Sequence, residues 1–134
     1  MSGAALALTQ LRNELFGDYT EKNYLCRHTM DRTTLTRQQA LDVVREYKRV
    51  ITPRYKTEPK VIMYGSYAKG YANPDSDIDV AVIVPESEII DPWEQWADIV
   101  GDVRKVSVLI EPVLMEDDED SPLYREVMRT GIAV

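Results

Sequence analysis

The stretch that decides the fold runs from Val61 to Val84 and reads VIMYGSYAKGYANPDSDIDVAVIV. Val61 to Tyr64 is a short apolar run of strand-favouring residues that leads straight into Gly65-Ser66, after which Tyr67 to Tyr71 suits a brief helix. The order strand, tight turn, helix brings backbone amides, the positive end of the helix dipole and the Ser66 hydroxyl to one point, where a phosphate can be held. Glycine at position 65 permits the close approach. Asn73, Pro74, Asp75 and Ser76 then form a turn cluster, and Ile78, Val80, Val82 and Val84 mark a second strand that begins near Asp77.

Within that second strand Asp77 and Asp79 are two residues apart, so their side chains are expected on one face while Ile78 and Val80 take the other. Their Cα atoms would stand roughly 6.5 to 7 Å apart, close enough for both carboxylates to share a hard cation such as magnesium. Turn capping is the alternative reading. Asp75 and Ser76 already supply turn chemistry, however, and Asp77 and Asp79 sit in an otherwise apolar run, where inward carboxylates need a partner. A Gly-Ser pair alone is common; one that ends a strand some twelve residues before Asp-Ile-Asp is specific.

With Gly65-Ser66-Tyr67-Ala68-Lys69-Gly70, a short spacer and Ser76-Asp77-Ile78-Asp79-Val80, the chain resembles the minimal nucleotidyltransferases of the DNA polymerase beta superfamily. The likeness is detailed over about Val61 to Val84 and weaker through Glu111 and in Arg129-Thr130-Gly131-Ile132. It implies a single-domain α/β fold, a small mixed sheet flanked by helices. It also implies metal-dependent transfer of a nucleoside monophosphate, AMP from ATP or the equivalent from another nucleoside triphosphate, to a hydroxyl acceptor with release of pyrophosphate. Asp77 and Asp79 would hold magnesium, two ions in all, and Gly65 and Ser66 would cradle the phosphates. Family members place a third carboxylate on a neighbouring strand. Glu111, within Val108-Leu109-Ile110-Glu111-Pro112-Val113, is the acidic residue after Asp79 in a strand-like setting. It would either activate the attacking hydroxyl or complete the second metal site, and Pro112 keeps open the reading of an edge-strand charge facing water. Lys69 lies inside the motif but reads as a solvated lysine outside the catalytic set.

Polymerases and antibiotic-modifying relatives hold their acceptors with additional domains, which points here to a protein acceptor. Small members of the family are often paired with helical HEPN-family toxins, as antitoxins that in some cases transfer AMP to them, so a HEPN-type partner is implied. The alternative is a chain that has lost turnover and acts by protein–protein binding, through its acidic surface or a tryptophan-bearing helix.

Composition is consistent with this and narrows it. The 134 residues fit one compact domain, read as an N-terminal extension over 1–35 and a nucleotidyltransferase domain over 36–134. The formal charge of −7 would repel a polyanion, which argues against long nucleic acid as substrate. Apolar runs fall far short of the roughly 20 residues that span a bilayer, and no basic segment precedes the apolar N-terminus, so a cytoplasmic protein is expected. The lone Cys26 can form neither an internal disulfide nor a cysteine zinc site, and a catalytic pairing with His28 would need a tertiary placement that sequence proximity does not supply.

The remaining elements follow from periodicity and punctuation. Leu8, Leu11 and Leu15 before Gly17 predict a helix over Ala4–Phe16, and Thr36 with Gln39 forms a capping box for a helix ending before Pro53. Asp91, Pro92 and Glu94 predict a helix from Pro92 to Val100 with Gly101 as its C-cap. Trp93, Trp96, Ala97 and Val100 are expected on its core side. Lys105 to Met115 predicts a third strand, at an edge or bulged near Pro112. Glu116 to Asp120 reads as a solvated loop rather than a calcium loop. Ser121-Pro122 opens a last helix that Gly131 ends, leaving an apolar tail.

Overall fold

A computed structural model describes residues 34–134; the helix expected over Ala4–Phe16, Cys26 and His28 lie outside the described residues. The first helix, α1 (Arg37–Ile51), starts at the predicted capping box: Gln39 N donates to Thr36 Oγ1 at 3.0 Å and Thr36 N to Gln39 Oε1 at 2.9 Å. Ala40, Val44, Tyr47 and Ile51, spaced three or four apart, are fully buried along one stripe.

Then come β1 (Lys60–Tyr64), α2 (Ser66–Lys69), β2 (Ile78–Val84), α3 (Pro92–Asp102), β3 (Ile110–Glu116), α4 (Pro122–Thr130) and β4 (Ile132–Ala133). The sheet order is β3-β2-β1-β4. β1 runs antiparallel to β2 and β4 while β2 and β3 are parallel, so the sheet is mixed, as expected. The parallel pair needs a crossover, and α3 provides it.

Alternation along the strands sorts the side chains onto two faces. Val61 and Met63, then Ile78, Val80, Val82 and Val84, then Ile110 and Leu114 pack with α1 and with Trp96, Ile99 and Val103 into the main core. Ile62, Ala81 and Ile83 form a smaller cluster with Tyr124 and Val127 of α4.

Several expectations are corrected by these contacts. Gly101 continues α3 rather than capping it, and the C-cap is Val103. Asp91 accepts from Glu94 N at 3.2 Å, but its own N–H is taken by Gln95 Oε1 rather than by Glu94. The core stripe of α3 is Trp96 and Ile99, with Val100 packed against it; Trp93 and Ala97 are exposed, because packing onto the sheet centres the stripe one position further along. The third strand starts at Ile110, since Val103–Lys105 is a 3-10 turn. That turn carries cations: Lys105 meets the buried Asp102 at 3.0 Å, and Arg54 holds the same carboxylate at 2.6 and 2.9 Å. Pro112 does lie in an edge strand, where a missing N–H is tolerated. The tail beyond Gly131 is the fourth strand. A Cβ at Gly131 would run into Ile62 Cγ2 and the Val127 carbonyl, so glycine lets the chain turn tightly from α4 back onto β1.

Candidate active site

The turn out of β1 is built around Gly65, whose φ of 74° and ψ of −152° suit glycine alone. A side chain there would also collide with the Asp79 carboxylate, whose Cγ would lie 3.2 Å from the added Cβ. Backbone and carboxylate are therefore in close contact at this point. Ser66 opens α2, a single turn closed by Lys69 N to Gly65 O at 3.0 Å and Gly70 N to Ser66 O at 2.9 Å, with Gly70 left-handed at φ 90°. The first amides of such a turn have no acceptor within the helix.

Strand pairing brings the acidic residues into this neighbourhood. Asp79 is opposite Tyr64 on β1 and opposite Glu111 on β3, so the three form a row straight across the sheet on the face opposite the main core. All three are half-buried. Burial raises the Tyr64 phenol well above its ordinary value, and the charges of Asp79 and Glu111 push it further the same way, which places both carboxylates within electrostatic reach of one hydroxyl. Asp77 is half-buried and sits one residue before β2, whose start is fixed by Ile78 N donating to Leu109 O at 2.8 Å. The expectation that Asp77 and Asp79 both lie within the strand is corrected to that extent.

Among the described residues no group of three or more His, Cys, Asp or Glu side chains is gathered tightly enough to hold a metal ion by itself, and Asp77, Asp79 and Glu111 each interact with neighbouring groups. The described residues thus present no preassembled three-carboxylate cage. Magnesium, however, keeps several waters and is ordinarily bound by one or two carboxylates plus substrate phosphates. The hard oxygen donors of Asp79 and Glu111, neighbours by register and beside a glycine that admits close approach, fit an ion that arrives with a nucleotide.

Lys69 is tied to Glu126 of α4 at 3.2 Å, and Glu126 to Arg129 at 2.6 Å. Two open hollows, of about 340 and 290 Å³, lie beside Lys60, Glu86 and Asp117 and beside Lys48, Met128 and Val134; neither is lined by the carboxylate row. Sequence reasoning missed Tyr64 as a member of that row. The available signal was its place directly before Gly65, at the end of the strand that had to pair with Asp79.

A model of the nucleotidyltransferase domain matches residues 44–127, more than half of the chain, and the protein belongs to that family. It is 26% identical over 98 residues to a candidate protein adenylyltransferase of Methanocaldococcus jannaschii, an alignment covering 72% of this chain and 99% of that one. A crystal structure of a candidate nucleotidyltransferase from Sulfolobus solfataricus superposes with a TM-score of 0.47 at 17% identity, covering 72% of this chain and 80% of the other. No helix among the described residues is long and apolar enough to cross a membrane.

Proposed function

Because the chain is a nucleotidyltransferase, we propose that it is an adenylyltransferase that moves AMP from ATP to a hydroxyl on a protein partner, a HEPN-type protein being the first to test. Gly65 and Ser66 receive the phosphates, Asp77 and Asp79 hold magnesium, and Glu111 serves as base or as a further metal ligand. The observation that carries this reading is the register Asp79 to Glu111 beside Gly65. The relative described as a protein adenylyltransferase supports the choice of nucleotide and acceptor class.

In such a transfer the acceptor oxygen attacks the α-phosphorus, its proton passes to a base, and pyrophosphate departs with the electrons of the broken bond. Magnesium, when bound with the nucleotide, supplies charge neutralisation on the phosphates and alignment of the attacking and leaving oxygens. The chain's own part is to position and to accept. Amides at the start of α2 and the Ser66 hydroxyl donate to phosphate oxygens, Asp77 and Asp79 fix the metal-bearing end, and the Glu111 carboxylate accepts the proton if no second ion occupies it. Such chemistry calls for clustered carboxylates rather than a histidine.

The test is calorimetric titration of ATP, and then of the other nucleoside triphosphates, with and without magnesium, into the wild type and an Asp77→Ala/Asp79→Ala double variant. Magnesium-dependent binding that the variant loses is expected. Failure of the wild type to bind any triphosphate would overturn the reading and leave partner recognition as the activity.

A further inference from the structure

We propose that Arg37 takes the terminal phosphate of the nucleotide and so makes the site prefer a triphosphate to a diphosphate. The inference rests on the nucleotide site proposed above and adds to it a residue from the first turn of α1.

The two glycines that bracket α2 touch side chains of opposite charge. A Cβ on Gly65 would run into the Asp79 carboxylate, and one on Gly70 would lie 2.9 Å from Arg37 Nη2. The guanidinium is thus laid over the far end of the turn, where its Nε donates to the Tyr67 carbonyl at 3.5 Å. Four helical residues rise about 6 Å, which is the spacing along α2 between the Ser66 end and the Gly70 end. A nucleotide that carries a metal has the same polarity. The carboxylate end of the turn suits the metal-bearing phosphates, and the guanidinium end suits the anionic tail.

Stability does not account for a cation at this position. Arg37 is the first residue of α1, whose first turn holds no acidic residue, and a positive charge at the positive end of a helix is unfavourable. The residue is exposed, and its bond to Tyr67 is longer than an ordinary N–H to oxygen bond. Lys69, another cation on this turn, is neutralised by Glu126 of α4 at 3.2 Å. The ion pairs among the described residues include none to Arg37. The bond to Tyr67 uses Nε, so the two terminal nitrogens remain for a ligand, and a guanidinium presents such donors as a planar fork that matches phosphate oxygens. In a chain of formal charge −7, a local cation is what lets the anionic tail approach.

The experiment is calorimetric titration of ATP and of ADP, each with magnesium, into the full chain and its Arg37→Gln and Arg37→Lys variants, with thermal unfolding followed in parallel. Arg37→Gln is expected to weaken ATP binding about 10- to 100-fold, the usual worth of hydrogen bonds to a charged group, with ADP affinity unchanged. Arg37→Lys keeps the charge, loses the fork and should fall between the two. The unfolding temperature of Arg37→Gln should be unchanged or slightly raised, because a cation leaves the positive end of α1. Wild-type ATP affinity in Arg37→Gln, or an equal loss for ATP and ADP, would overturn the proposal and leave the nucleotide site standing. A wild type that binds neither nucleotide removes the site itself, and this inference with it.

Discussion

The two faces of the sheet are made from the same four strands and differ in what covers them. On one, Ile78, Val80 and Val82 are fully buried beneath α1 and α3, with Trp96 and Ile99 filling the space between. On the other, α4 covers Ile62, Ala81 and Ile83, while the next residues along, Tyr64, Asp79 and Glu111, stay half-buried. A single residue step along β2 thus changes an aliphatic core position into a carboxylate. The lesson is that this small domain concentrates its apolar packing on one face and leaves the end of the other polar, where the proposed chemistry would sit, so substitutions on the two faces should separate in what they impair.

The largest effect is expected from Asp79→Asn, which keeps the shape and removes the charge. If Asp79 holds the metal as proposed, several kcal/mol of transition-state stabilisation should be lost, on the order of 10³-fold in turnover, with little change in the unfolding midpoint. A large fall in stability with activity intact would break the comparison. From the other face, Ile99→Ala should cost about 2 to 4 kcal/mol in denaturant titration through the cavity it leaves, with nucleotide affinity unchanged in conditions where the variant is folded.

Gly65→Ala probes the boundary between the faces. Its backbone, at φ 74° and ψ −152°, lies in a region open essentially to glycine alone, so any side chain should cost about 1 to 3 kcal/mol, and the new Cβ would displace the Asp79 carboxylate. It is the one substitution of this series expected to lower stability and nucleotide binding together, read by calorimetry and thermal melts on the same sample.

A smaller effect sits under α3. The buried Asp102 carboxylate is held below the usual aspartate range chiefly by its hydrogen bonds from Arg54, helped by Lys105 and opposed by burial. Its folded pKa lies below the unfolded one, so its stabilisation is complete above the ordinary aspartate value and is lost as pH falls through the folded value. Asp102→Asn should flatten that part of the fall in unfolding temperature that sets in below about pH 5 and continues below the ordinary aspartate value. It should cost only about 1 to 2 kcal/mol at neutral pH, because Arg54 and Lys105 remain partly solvated. The smallest effect is that of Thr36→Ala, about 1 kcal/mol for the lost cap at α1, visible as a lower unfolding temperature with binding untouched.

Much of the fold was legible because its signals are local. The capping box at Thr36, the turn at Gly65-Ser66, the alternation from Ile78 to Val84 and the cap at Ser121 each act within a few residues, and each appears where the pattern predicts it. The misplacements are of another kind. The strand predicted from Lys105 is a turn up to Leu109, because Lys105 is drawn to Asp102 and Val106 and Leu109 pack against the core, while Val108 is left exposed outside the ladder. Ile132–Ala133 is too short to announce itself and becomes a strand because β1 has a free edge beside it. Likewise Trp93 belongs to the pattern of a core face but not to the face the sheet selects.

By itself the sequence determined that a strand turns through Gly65-Ser66 and that an Asp-Ile-Asp strand follows, since spacing and turn chemistry are properties of neighbouring residues. Only the tertiary structure decided that Glu111 pairs with Asp79, that Tyr64 completes the row, and that Asp77 stands just outside the strand. Register between β2 and β3 is set across a crossover helix by burial of one whole face, and a shift of a single residue would have turned Glu111 into the core.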